Sequence, residues 1–310
     1  MWFNKDTKDR FLETIEESQY PIRYWPILFE TISVHEEMLE KDIFNFSKKQ
    51  IITMYKLMNY SSYETLMVTH LNLKKYLVWA MQNNLVVDGQ DHFDEITSQE
   101  LFGCINQIQL QQSIITRDDV ISIVRKMTNY QDRFMVLGVF EGIKGDQFND
   151  LAYATWNDFD TKNCTMHLYS GRTISVSREL LGIAEVASKT FSYTMVAKDG
   201  STSEHELYGD GIIKVLKRRH NNGFDISDSR QIYHVITKTL DEFGYGGVVS
   251  SNSLYTSGVI HMVNELAEQH NMTGREVLYD AYLFEQVRQQ YGFNPLIRKR
   301  FVMKYEFVLK

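Results

Sequence analysis

Along the first 110 positions, apolar residues recur at the three-and-four spacing of amphipathic helices. Residues 26–40 read as a helix following Pro26. Ser47 opens a second, with Ile51, Ile52, Met54 and Met58 on one side and Lys48, Lys49, Thr53 and Lys56 largely opposite. Ser61 and Glu64 stand at capping-box spacing, in which each side chain satisfies the other residue's free backbone N–H. They predict a long helix to about Asn83, striped with Leu66, Leu73, Leu77 and Ala80. Thr97 and Glu100 repeat the spacing ahead of LFGCI, and the polar run 109–113 reads as a linker.

Beyond the linker the pattern becomes mixed. Thr116 starts a helix, and Asp132–Glu141 forms another that Gly142 ends. Residues 164–169 and 173–177 alternate as the two arms of a hairpin, and 193–208 predict a second around Asp199-Gly200. Helices return at 178–190, 228–243, 252–270 and 273–291, and the closing RFVMKYEFVLK alternates like a terminal strand. The expected architecture is mainly α with a small β component: a helical domain over 1–112 and a mixed α/β domain over 113–310.

The chain carries 33 Lys+Arg against 40 Asp+Glu, a net charge of −7, so a uniformly basic coat is excluded while one basic face is not. No apolar run approaches the roughly 20 residues that span a bilayer, and MWFNKDTKDR has no apolar signal core. Two cysteines, Cys104 and Cys164, form no CxxC pair, which suits a reducing cytoplasm. A phosphate-binding GxxxxGK[ST] loop is missing, and His35-Glu36-Glu37 lacks the second His of a zinc motif. Neither metal nor cofactor is expected. Basic clusters are more informative: Lys214, Lys217, Arg218, Arg219 and His220 form one, and Arg298, Lys299, Arg300 and Lys304 another. From Gln286 to the end, Glu306 alone opposes them and the positive residues Arg288 and Lys310. Each run is either a solvated face or a grip on phosphate.

The order of segments resembles the tyrosine recombinases (phage integrases). ITRDDVISIVRKM followed by DRFMVLGVFEGIKG looks like the start of their catalytic domain. DLAYATWNDFD, at 150–160, looks like the "EL..L.W.DID" stretch, the hairpin 164–177 like the segment bearing the catalytic lysine, and VSSNSLYTSGVIHMVNELAEQ like the "HxLRHT" helix. The resemblance implies a helical core-binding domain and a catalytic-type domain that clamp a duplex. It also implies a set of cutting groups: two arginines and a His on the scissile phosphate, a lysine beside the leaving oxygen and an attacking tyrosine. This chain departs from that set. Lys144 stands for the first arginine, with about three extra residues before Asp150. Asn252 stands for the His and Tyr255 for the second arginine; Arg172 lies near the lysine, and Tyr291-Gly292-Phe293 replaces a later "GH" element. Tyr305 is either the old nucleophile or a strand tyrosine packed on the core.

With these departures, the chain closely resembles the SPβ-type lytic-cycle repressors of the MrpR family, recombinase-like proteins without recombinase activity. That resemblance implies no enzyme but a cytoplasmic, nucleoid-associated repressor that occupies double-stranded phage operator DNA and maintains lysogeny. Its number of copies on DNA stays open. The expected DNA contacts are Lys48, Lys49, Lys56, Ser62, Thr65, Asn72 and Lys75 in a major groove, with Lys144, Arg172, Lys217, Arg218, Arg219, Arg298, Lys299, Arg300 and Lys304 on the opposite side. The acidic helix 30–42 offers a face to a regulatory phage protein. Two rivals remain: an active integrase using Tyr305, and an interaction module that has left DNA.

Overall fold

Helix propagation and capping shape most of the chain, and the computed structural model describes residues 2–15, 24–197, 199–217 and 228–310. Two compact units result, Met1–Leu110 and Gln111–Lys310.

The first unit is helical among its described residues: α1 Lys5–Leu12, α2 Tyr24–Leu39, α3 Lys48–Leu57, α4 Tyr63–Gln82, α5 Ser98–Phe102 and α6 Gln107–Gln112. Its apolar stripes meet in an aromatic core. Phe11 packs edge-on against Trp25 at 4.8 Å and lies 4.9 Å from Tyr76. Leu66, Leu73, Leu77 and Ala80 of α4 are fully buried, as the stripe predicts. Inside the same core, Lys8 Nζ lies 2.9 Å from Glu36 and 3.4 Å from Asp42, and the Tyr76 hydroxyl donates to Asp42 at 3.1 Å. Buried charges persist only when so paired.

Three expectations need correction here. The N-cap of α4 is Ser62, one residue later than the Ser61–Glu64 spacing indicates, and its hydroxyl oxygen accepts from the Thr65 N–H. Pro26 lies inside the first turn of α2 instead of preceding it; proline is tolerated there because the first N–H groups have no helical partner. The supposed linker 109–113 is largely helical, since Leu110 buries itself and α6 extends to Gln112.

The second unit is built around α8, Tyr130–Phe140, in which every residue from Phe134 to Phe140 is buried. Helices α7 (Arg117–Lys126), α10 (Arg178–Lys189), α11 (Ser229–Glu242) and α12 (Ser251–His270) pack around it. A short helix α9, Asn149–Ala152, precedes an antiparallel sheet of β1 (Phe159–Asp160), β2 (Thr165–His167) and β3 (Thr173–Ser175), with Met166 opposite Ile174. A second sheet holds β4 (Ser192–Val196), β5 (Thr202–Tyr208) and β6 (Val215–Leu216). Both hairpins therefore form, each with a third strand that the alternation does not reveal.

The chain ends with α13 (Gly274–Tyr279), α14 (Ala281–Tyr291) and α15 (Arg298–Tyr305). The single helix expected over 273–291 breaks because the Asp280 side chain accepts from the N–H groups of Tyr282 and Leu283, starting a new helix. The terminal strand is instead α15: Phe301, Val302 and Tyr305 are the buried residues, and that is helical spacing. The tail returns to its own unit, where Asn264 Nδ2 donates to the Val308 carbonyl at 3.0 Å and Asn264 Oδ1 accepts from the Lys310 N–H at 2.9 Å.

Candidate nucleic-acid interface

Two glycines allow the elements around the site to converge. A Cβ at Gly258 of α12 would fall 1.8 Å from the Phe140 carbonyl oxygen. At Gly142, where φ is +102°, it would lie 2.6 Å from the Gln290 carbonyl oxygen. The C-terminal ends of α8 and α14 and the start of α12 thus meet. Lys144 follows Gly142, Asn252 and Tyr255 lie near the start of α12, and Arg172 sits in the β2–β3 turn. Four of the positions that the resemblance sets against the catalytic groups thus come together.

Lys144 Nζ donates to Asn252 Oδ1 at 2.5 Å and lies 5.2 Å from the centre of the Tyr255 ring. Burial pulls its pKa below the ordinary lysine value. No carboxylate pairs with it among the described residues. The extra residues before Asp150 fold into a tight loop in which Gln147 and Phe148 both adopt positive φ, 48° and 63°. Phe148 lies beneath the lysine, 5.9 Å from its ammonium.

Arg172 is committed within the protein. Its Nη1 donates to the Gln290 carbonyl at 2.8 Å, and its Nη2 reaches Asp150 Oδ2 at 3.3 Å. The Asp150 side chain is wholly buried, and it also accepts from the Ser170 N–H at 2.8 Å and the Ser170 hydroxyl at 3.1 Å. Arg172, expected among the DNA contacts, therefore neutralises a buried carboxylate. Lys144 is left as the uncompensated cation of the cluster.

The Tyr255 hydroxyl donates to the Tyr291 carbonyl. Burial, opposed by Arg172 and reinforced by Asp150, pushes its pKa up to about 12. Tyr291 in turn donates to the Phe140 carbonyl at 3.0 Å. Gln290 extends the edge of β3: it donates to the Ser175 carbonyl at 2.8 Å and accepts from the Ser175 N–H at 3.0 Å. Asp150 and Gln290 carry no local signal, since their partners are 20 or more positions away.

The other two positions set against those groups by the resemblance, Phe293 and Tyr305, belong to an aromatic stack. Phe293 meets Phe284 at 5.8 Å and Phe301 at 5.0 Å, both edge-on, and Phe301 lies 4.8 Å from Tyr305. Tyr305 is buried, on a helix and not on the strand expected for it.

Among the remaining expected contacts, Lys49, Lys56, Thr65, Lys75, Lys299 and Arg300 are exposed, and Ser62 is half-buried at its cap. Lys48 pairs with Glu100 at 2.9 Å, and Lys217 pairs with Glu206. Arg298 stacks 4.9 Å from both Tyr279 and Phe284, and half-buried Lys304 lies 5.3 Å from the Tyr305 ring. Asn72 is a correction: it is 1% exposed and cannot reach a base edge. On α4 the exposed stripe joins Thr65 and Lys75 to Val68, Leu71 and Val78, so it is more apolar than the polar reading face expected. Arg218 and Arg219 lie outside the described residues. No group of three or more His, Cys, Asp or Glu able to hold a metal occurs among the described residues, and none of their helices is long and apolar enough to cross a membrane.

Two family models match: "MrpR, N-terminal core-binding domain" over residues 1–82 and "MrpR, C-terminal catalytic domain" over residues 114–308. The SPbeta prophage-derived protein YopR of Bacillus subtilis (strain 168) is 23% identical over 318 residues, covering 98% of this chain and 96% of YopR. Among solved structures, a λ integrase(75–356) dimer bound to a COC′ core site is 12% identical with a TM-score of 0.44, covering 97% of this chain and 95% of that one. XerA recombinase is 11% identical with a TM-score of 0.42, covering 96% and 93%.

Proposed function

The chain belongs to the MrpR family, and from that premise we propose that it is a DNA-binding repressor of phage lytic genes on a recombinase scaffold that no longer exchanges strands. The observation that carries this reading is the cluster of Lys144, Asn252, Tyr255 and Arg172. The family resemblance calls there for two arginines, a His and a lysine converging on one phosphate. In their place stand a lysine without a paired anion, a carboxamide, a phenol held protonated, and an arginine spent on Asp150. Each lost charge-stabilising donor commonly costs about 10²–10³ in rate, so several together leave negligible strand cleavage. Binding tolerates such losses, because affinity is spread over many backbone contacts. Lys144 remains suited to hold one backbone phosphate without cutting beside it.

The reading places the protein with the nucleoid in the cytoplasm, on double-stranded operator DNA. Two measurements test it. Gel-shift titration on prophage promoter DNA should give binding that weakens steeply with salt and exceeds that to random DNA. A nicked suicide substrate should give no covalent complex. A trapped adduct that Tyr305→Phe abolishes would establish a working recombinase and overturn the proposal.

A further inference from the structure

Helix α2 has two apolar sides, and the core of the first unit covers one of them. Trp25, Leu28, Phe29 and Ile32 face inward and are buried. On the opposite side Ile27, Val34 and Met38 are 63%, 65% and 64% exposed. With 3.6 residues per turn, these three and exposed Thr31 fall within a sector of about 60°, turned away from the buried set. A surface helix ordinarily turns polar residues outward, and a helix that is apolar all round is covered on both sides. The acids expected to offer a face to a phage protein do not make up this outward side. Glu36 and Asp42 are buried with Lys8, while Glu30 and Glu37 lie along one edge of the stripe.

Spacing identifies the cover. Ile27, Thr31, Val34 and Met38 follow one another at intervals of four, three and four residues, the seam of a coiled coil with Ile27 and Val34 at d and Thr31 and Met38 at a. The Thr31 hydroxyl donates to the Ile27 carbonyl at 2.7 Å, so it brings no unmet hydrogen bond into such a seam. The edges decide the direction of pairing. Glu30 and Glu37 occupy g positions on one edge, and half-buried His35 occupies an e position on the other. In an antiparallel pair like edges meet, which sets glutamate against glutamate. In a parallel pair unlike edges meet, and Glu30 falls beside His35 of the second copy, where the g and e residues of parallel coiled coils pair.

We infer that α2 docks in parallel on α2 of a second copy, with Ile27, Thr31, Val34 and Met38 each meeting its own counterpart across a two-fold axis. A second copy supplies the matching seam and the complementary edge at once. The seam is three turns long, at the low end of specific interface size, so the pairing belongs to the weak class. It concerns the first unit alone and does not depend on the repressor reading.

The test is sedimentation equilibrium of the full chain from about 1 to about 200 µM, a range that spans weak association. The mass should rise towards that of a dimer with concentration. Val34→Glu, at an exposed position, should keep the thermal melt unchanged and stay monomeric throughout, and Met38→Glu should do the same if the first variant folds poorly. Direction is read by Ile27→Cys in a Cys164→Ser background, oxidised with copper–phenanthroline. A parallel pair should give a disulfide-linked dimer that Val34→Glu removes. In an antiparallel pair the two substituted positions would stand about 16 Å apart along the helices, beyond the reach of a disulfide. A chain that stays monomeric at every concentration, a folded Val34→Glu protein that still pairs, or an Ile27→Cys protein that gives no cross-link would each overturn the inference.

Discussion

Lys144 and Arg172 illustrate why a side chain's charge says less than its partners. Both are cations at one site, yet the arginine is bound to a buried carboxylate and the lysine only to an amide oxygen. Lys144→Gln should therefore fold normally, weaken binding to all DNA sequences alike, and flatten the slope of log Kobs against log[salt] by about 0.9, the share of one phosphate contact. Gel shifts at several salt concentrations check this, and an unchanged slope removes Lys144 from the interface. Arg172→Ala should instead destabilise its unit by roughly 3 kcal/mol, the low end for orphaning a buried ion partner. Asp150→Asn in that background should recover part of the loss in denaturant midpoint. Titration offers a third comparison at Glu36. Burial first, then Asp42, pushes its pKa up to about 8 against the opposition of Lys8. A raised folded-state pKa means that the folded chain holds the proton more tightly, so this contribution is whole below the unfolded value near 4.5 and fades as pH rises through about 8. Thermal melts from pH 6 to 9 should show falling stability that Glu36→Gln flattens; a pH-independent difference between the two proteins would refute it. The order of segments pointed to Lys144, Arg172, Asn252 and Tyr255, and the fold brings these four together. Their pairing was not legible, because Asp150 and Gln290 meet their partners only after the chain has folded back.

Among the elements, two glycines in helices make opposite demands. Gly258 stands where α12 crosses the end of α8, and an added Cβ would meet carbonyl oxygen at 1.8 Å. That atom belongs to backbone and cannot swing aside. Gly258→Ala should thus force the helices apart and cost more than the 1–3 kcal/mol typical of overpacking. Gly182, inside α10, has nothing within 4 Å of the same added atom. There Ala removes chain entropy from the unfolded state and should stabilise by about 0.5–1 kcal/mol. Melting temperatures that move in opposite directions check the pair; a tolerated Gly258→Ala would mean that the crossing is looser than described. The same elements mark what periodicity can and cannot reveal. Helices with a one-sided apolar stripe, such as α3 and α10, are plain in the sequence. The terminal segment misleads, since Phe301, Met303 and Tyr305 alternate while Val302 breaks the alternation and packs inward. The break between α13 and α14 hinges on a single capping aspartate inside an otherwise continuous pattern.

For the whole molecule, a net charge of −7 means that any grip on DNA must come from local surfaces working against the field of the rest. The periodicity changes near residue 112, and the structure divides at Leu110 into two units, each with a core of its own. Which faces meet a duplex was not readable, since exposed lysines look alike whether they hold phosphate or only water. Exposure now narrows the choice among the lysines to Lys49, Lys56 and Lys75 on the first unit and to Lys299 with its neighbours on the second. If both units hold DNA, Lys49→Glu with Lys56→Glu should reduce the salt slope by about 1.8, two phosphate contacts, and Lys299→Glu should reduce it independently by about 0.9. Reversal at Arg218 and Arg219 belongs in the same series, on the strength of their place in the basic run. The reductions should add in a combined protein, because distant sites behave additively. A combined slope no smaller than that of the first-unit variant alone would show that the second unit leaves the phosphates untouched, and the recombinase-like embrace of DNA would have to be abandoned for one-sided binding.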